Sequence, residues 1–213
     1  MSRATWRDWN IPALAEYRFE VGFDATATVK LLSGTAEVFG AELAPNREYV
    51  FCGQKVAIFS FDSAVVSVSW SSTGGTGGNT NTTNQVEYVS SESVTVPAYL
   101  QLFKQELPSC KRILVLGSGR NTLTRTLCNY TVRTNQSVMW ASVDPRTNSL
   151  FFPGCLSANV MQGMQVVEAE EPGMVGGMAA EACSPFTLFF GSLSIVDNYK
   201  LWLRLVERLA GAV

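Results

Sequence analysis

The chain has 213 residues, 46% of them hydrophobic, enough to bury the core of one large domain or two small ones. Its 16 Lys and Arg stand against 18 Asp and Glu, a formal charge of −2, so no global positive field draws it onto nucleic acid or an anionic membrane. There is no histidine, which excludes Ser-His-Asp and Cys-His nucleophile systems, His-ligated zinc and histidine acid/base chemistry.

Cys52, Cys110, Cys128, Cys155 and Cys183 form no CxxC pair and read as reduced, mostly buried thiols of an intracellular protein. "MSRATWRDWN" lacks an apolar signal core, and "FTLFFGSLSIV" (186–196) is too short to span a bilayer. The chain is therefore expected to be soluble and not secreted, and the sequons at Asn81, Asn129 and Asn135 to be chance matches.

From Tyr17 the pattern alternates, with Tyr17, Phe19, Val21 and Phe23 on one strand face and Arg18, Glu20 and Gly22 on the other. The runs "TATVKLL", "AEVFG", "REYVF", "KVAIFSF", "AVVSVSW", "QVEYVS" and "SVTVP" continue it, predicting an all-β sandwich over residues 1–97. The polar tract "SSTGGTGGNTNTTNQ" (71–85) reads as a disordered insertion within that sandwich. Residues 98–108 are predicted as a connecting helix or linker.

Beyond about residue 109 the period changes. "RILVLG" reads as a buried strand and "TLTRTLCNYTV" as a helix with Leu123, Leu127 and Tyr130 on one face. "SVMWASVD", "MQVVEAE" and "FTLFFG" read as further strands, and "NYKLWLRLVERLAGA" as an amphipathic helix with Leu201, Leu205, Val206 and Leu209 inward. This order predicts an α/β domain over 109–213 with a largely parallel sheet. The fold class is thus multidomain, an all-β sandwich followed by an α/β domain.

The motif that carries chemistry is "GSGRNT". A phosphate loop, GxxxxGK[ST], wraps a phosphate in consecutive backbone N–H groups, while its lysine reaches the outer phosphates and its hydroxyl holds Mg²⁺. Here Gly117 and Gly119 are two positions apart instead of five, Arg120 stands in the lysine's place, Asn121 in the hydroxyl's, and Thr122 follows. A Gly-Ser-Gly turn from strand to helix is also a common structural device, so the motif by itself leaves both readings open.

Wider similarity adds to it. The stretch "EYRFEVGFDATATVKLLSGTAEVFGAELAPNREYVFCGQKVAIFSFDS", above all "LLSGTAEVFGAEL" (31–43), resembles the N-terminal β-domain of the pre-mRNA cleavage-complex branch of the Clp/Grc family of polynucleotide 5′-hydroxyl kinases. "VEYVS", "RILVLG", "LCNYTVR", "VDPRTNSLFFPG" and "PFTLFFGS" follow in the family's order. The resemblance implies a β-domain beside a P-loop kinase domain, so the α/β half is expected to be a truncated P-loop-like domain whose shortened sheet leaves apolar surface for a protein partner. It matches Glu16 to an acidic residue near the nucleotide base, although an exposed strand-edge glutamate is an alternative. The family's DxDxGQ stretch is here "SVDPRT": Ser142 replaces the first aspartate, Asp144 survives as a candidate metal ligand or a simple turn cap, and Arg146 and Thr147 stand in place of Gly-Gln.

The resemblance with these departures implies a non-catalytic adaptor subunit of the nuclear mRNA 3′-end cleavage and polyadenylation complex. Its expected partners are protein subunits, including a scaffold subunit, with RNA reached only indirectly and no membrane. No catalytic residue and no cofactor are expected. Any remaining nucleotide contact would fall to Glu16, Gly117, Gly119, Arg120, Asn121 and Thr122. The alternative is a working RNA 5′-hydroxyl kinase using ATP with Mg²⁺, and a third reading is a fragment or degenerate copy of a longer protein.

Overall fold

A computed structural model describes residues 5–72, 86–106, 112–148, 150–162 and 185–212. Alternating side chains build the strands of its first half: β1 (Trp6–Ile11), β2 (Ala15–Val21), β3 (Ala25–Gly34), β4 (Glu37–Val38), β5 (Ala41–Glu42), β6 (Glu48–Phe51), β7 (Gln54–Ser60), β8 (Ala64–Ser72) and β9 (Glu87–Glu92). They form a sandwich of two sheets, ordered β1-β8-β3-β6 and β5-β4-β7-β2-β9. Tyr17, Phe19, Val29, Leu31, Tyr49, Phe51, Ile58 and Val66 fill the space between them. Phe19 meets Phe51 and Trp70 edge to face, the arrangement that ring quadrupoles favour.

Phe23, expected to continue the inward face of β2, is 91% exposed: the strand stops at Val21 and the chain turns before Phe23 is reached. "SVTVP" does not continue the sandwich either. Helix α1 (Thr95–Glu106) starts within it, with Pro97 in the first turn, where its missing N–H is not needed. The tract expected to be disordered falls, from residue 73 to 85, outside the described residues.

The outer face of the five-stranded sheet is itself covered. Glu16, Glu37 and Phe59 are buried there, although alternation would turn them to solvent, because α1 and α2 (Arg120–Arg133) lie on that side. Phe103 of α1 meets Tyr130 of α2 with ring centroids 5.6 Å apart.

The second half holds β10 (Val138–Ser142), β11 (Cys155–Met161), β12 (Phe186–Phe189) and α3 (Tyr199–Ala212). Its sheet, ordered β10-β11-β12, is antiparallel at both pairings, which corrects the expected parallel sheet. β11 has two buried faces: Met161 packs with Cys128, Val132 and Trp140 under α2, while Leu156 and Ala158 pack with Phe190 and Leu209 under α3. This central strand escaped the sequence reading because Ser157 and Asn159 break its apolar run. Ser157 is fully buried and bonded to Asn148 Nδ2 at 2.9 Å and to Thr187 Oγ1 at 3.0 Å.

"RILVLG" is not a paired strand. Residues 112–116 run without a ladder, and Leu114 and Leu116 are 77% and 78% exposed, since no described strand lies beside them. "MQVVEAE" lies outside the described residues. In α3 Leu205, Val206 and Leu209 face inward as expected, while Leu201 is exposed and Trp202 takes the inward position, donating its Nε1 to Val143 O at 2.9 Å. Among the described residues no helix is long and apolar enough to cross a membrane.

Candidate functional site

The loop before α2 turns on Gly117 and Gly119, with φ of +101° and +76°. No atom lies within 4 Å of where a Cβ would stand at either, so the glycines serve the backbone turn and not a close approach. Gly119 caps α2 without a side-chain hydrogen bond.

Arg120 does not point at an open loop. Its guanidinium donates to Asp144 Oδ2 in a short ion pair, to Thr147 Oγ1 at 2.5 Å and to Gly117 O at 3.3 Å. Asp144 also caps the following 3-10 turn, accepting from Arg146 N at 2.9 Å. The residues in the places of the phosphate-binding cation and the metal-binding carboxylate are thus each other's partners. Among the described residues no group of three or more His, Cys, Asp or Glu side chains gathers as a metal site.

A cleft of about 150 Å³ opens between the sandwich and the helices, lined by Glu16, Arg18, Phe39, Tyr99, Thr122 and Thr126 among others. Sites for drug-sized ligands occupy about 300 to 1,000 Å³. Glu16 and Thr122 therefore meet at one cleft, while Gly117, Gly119, Arg120, Asn121 and Asp144 are not part of its lining. Glu16 is neither exposed nor on an edge strand: β2 lies between β7 and β9, and the side chain is 3% exposed. Both carboxylate oxygens are engaged, Oε2 by Arg18 Nε at 2.6 Å and Oε1 by Ser93 Oγ at 2.6 Å.

The residues that sequence reasoning left without a role form the junction between the two halves. Tyr130 donates to Glu37 Oε1 at 2.6 Å, Arg133 to Glu37 Oε2 at 3.0 Å and to Gly40 O at 3.2 Å, and Asn129 Nδ2 to Phe39 O at 2.8 Å. Arg133 also pairs with Glu42. Burial holds the Glu37 carboxyl above the usual carboxylate range, against the opposing pull of Tyr130 and Arg133, and burial first and then Glu37 push the Tyr130 phenol up. The signal was present: "LLSGTAEVFGAEL" and "LCNYTVR" are the segments that meet. Asn129, one of the sequon residues, is buried here.

Comparison with known proteins assigns both halves. Residues 10–107 match the N-terminal beta-sandwich domain of polyadenylation factor, and residues 116–213 match the P-loop domain of the mRNA cleavage and polyadenylation factor CLP1. The chain belongs to the Clp1 family. The cleavage and polyadenylation factor clp1 of Emericella nidulans is 31% identical across 96% of this chain and 42% of its own length. That of Phaeosphaeria nodorum is 31% identical across 97% of this chain and 45% of its own. The CLP1 homolog of Dictyostelium discoideum is 28% identical across 93% and 41%. This Clp1-family chain thus spans less than half the length of these relatives. A solved Clp1p–Pcf11p complex contains a chain of the same fold, with TM-score 0.78 and 23% identity over 99% of this chain and 50% of that one. A second structure of that pair, with TM-score 0.77, is described as giving the structural basis for ATP loss in a glycine-to-arginine point mutant.

Proposed function

We propose that this Clp1-family chain acts as a non-catalytic, protein-binding subunit of the nuclear mRNA 3′-end cleavage and polyadenylation machinery. The observation that carries the reading is the closure of Arg120 onto Asp144 and Thr147. Phosphoryl transfer depends on a free cation and a metal held by carboxylate and hydroxyl, all positioned around the transferred group. Here the carboxylate already neutralises the cation, Asn121 offers no hydroxyl, and the shortened loop has fewer amides for a phosphate. These residues do not fit Mg²⁺-ATP.

Two further observations support the reading. Leu114 and Leu116, two positions apart in one unpaired stretch, are 77% and 78% exposed, apolar side chains open to a protein partner. The solved relatives of the same fold are seen in complex with Pcf11p, and one of them is described as losing ATP through a single arginine. A scaffold subunit of the same machinery is the partner we assign to this chain.

The kinase reading is favoured by one observation, that Glu16 and Thr122 still share a cleft. Incubation with γ-labelled ATP, Mg²⁺ and a 5′-hydroxyl RNA oligonucleotide separates the two. No transfer above background is expected. Transfer that is lost in Asp144→Asn would establish the kinase instead.

A further inference from the structure

Helix α2 is held differently on its two sides. Toward the sandwich it is tied by directional hydrogen bonds: Asn129 Nδ2 donates to Phe39 O at 2.8 Å, Tyr130 to Glu37 Oε1 at 2.6 Å and Arg133 to Gly40 O at 3.2 Å. Toward the three-stranded sheet it lays Cys128 and Val132 on Val138, Trp140, Leu150 and Met161, apolar contacts with no preferred direction. Regions with few buried apolar contacts open at the lowest free energy, and this cluster is small beside the core of the sandwich.

α2 and β10 form a hairpin. The helix runs from Arg120 to Arg133, the exposed residues 134–137 reverse the chain through Asn135 at φ +59°, and β10 returns from Val138 to Ser142. Asp144 and Thr147, just past the end of β10, thereby meet Arg120 at the first residue of the helix, about 20 Å from the turn at 1.5 Å per residue. The ion pair closes the open end of the hairpin. Its side chains are 33% and 37% exposed, so dissolved salt screens it. α3 belongs to the far side of the sheet, with Leu209 against Leu156 and Ala158 and Trp202 Nε1 donating to Val143 O.

We propose that the contact of Arg120 with Asp144 and Thr147 is the pin, and residues 134–137 the hinge, of one conformational device. When the pin releases, the β10-β11-β12 sheet swings away with α3, α2 stays on the sandwich, and Cys128, Val132 and Trp140 are uncovered. Ionic strength sets how often this happens. The device stands whether or not the loop before α2 binds a nucleotide.

Cys128 reports the opening. It is 7% exposed, and burial pushes its thiol pKa up to about 12, so it reacts with a thiol reagent only when uncovered. The test is labelling of the folded full chain by such a reagent, with the rate at Cys128 read by peptide mapping. Arg120→Gln is expected to raise that rate at least about threefold, the worth of a partly exposed ion pair and its added hydrogen bond. Thr147→Val, which trims the pin by that hydrogen bond, falls between Arg120→Gln and the unaltered chain. Tyr130→Phe loosens the other side of the same helix and is expected to change the rate by less than about twofold, since sites in different interfaces act independently. Raising the salt from about 0.05 M to about 1 M speeds labelling in the unaltered chain and not in Arg120→Gln. The proposal is overturned if Arg120→Gln labels no faster than the unaltered chain, if Tyr130→Phe speeds labelling as much, or if salt acts equally on both proteins. Should Arg120→Gln fail to fold, Thr147→Val and the salt series on the unaltered chain decide, and no acceleration in either overturns it.

Discussion

Tyr130 donates its hydroxyl to Glu37 Oε1 at 2.6 Å, joining α2 to β4 across 93 residues of sequence. A hydrogen bond to a charged, buried acceptor contributes about 1.5 to 3 kcal/mol. Tyr130→Phe is expected to lose that much in chemical denaturation. A double-mutant cycle with Glu37→Gln should give a coupling energy above about 0.5 kcal/mol, and simple additivity would show that the two residues do not act on each other.

Glu37 also makes the stability of the junction depend on pH. Because burial raises its folded pKa above the unfolded value, the folded chain holds the proton more tightly. The stability gained from this shift is fully present below the unfolded pKa of about 4.3 and is lost as pH rises through the folded value. The difference in Tm between the unaltered chain and Glu37→Gln should therefore shrink or reverse as pH rises from about 4 to about 7. Parallel profiles in the two proteins would contradict the assignment.

Restoring the expected side chains should not restore the nucleotide site. Arg120→Lys combined with Asn121→Ser returns the ammonium and the hydroxyl but leaves the two-residue spacing of Gly117 and Gly119. The loop still presents too few amides to a phosphate, so calorimetry is expected to give an ATP affinity no tighter than about millimolar, near −4 kcal/mol. Micromolar binding would show that side-chain identity, and not loop length, closed the site.

Gly40, in the motif "AEVFGAEL", lies against α2 with no room for a side chain. A Cβ there would stand 2.9 Å from Thr126 O and 3.1 Å from Tyr130 Cε1, at a backbone φ of +80°. Gly40→Ala therefore combines a left-handed backbone, about 1 to 2 kcal/mol, with a clash against helix backbone. Gly117→Ala meets no atom within 4 Å and carries backbone strain only. Equilibrium denaturation should rank Gly40→Ala as clearly the more damaging, and equal losses would mean that the junction yields easily.

Legibility followed the range of the interaction. The alternation in "AEYRFEV" places Tyr17, Phe19 and Val21 in the core without any knowledge of a neighbour. The same alternation fails at Glu16, which is buried because helices cover the outer face of its sheet. "RILVLG" has a strand's composition, but a strand exists only beside a partner, and none of the described strands runs beside it. β11 has the partners on both sides and lacks the apolar run, its Ser157 being satisfied by Asn148 and Thr187.

By itself, then, the sequence determined the order of a β half and an α/β half, the presence of α2, most of the inward face of α3, and the shortened spacing of Gly117 and Gly119. These are properties of residues a few positions apart, where side-chain period and backbone preference act directly. Only the tertiary structure decided that Arg120 spends its charge on Asp144 and that Glu37 receives Tyr130 and Arg133. Each of these depends on segments far apart in the chain, and on burial that makes an unpaired charge costly and a paired one specific.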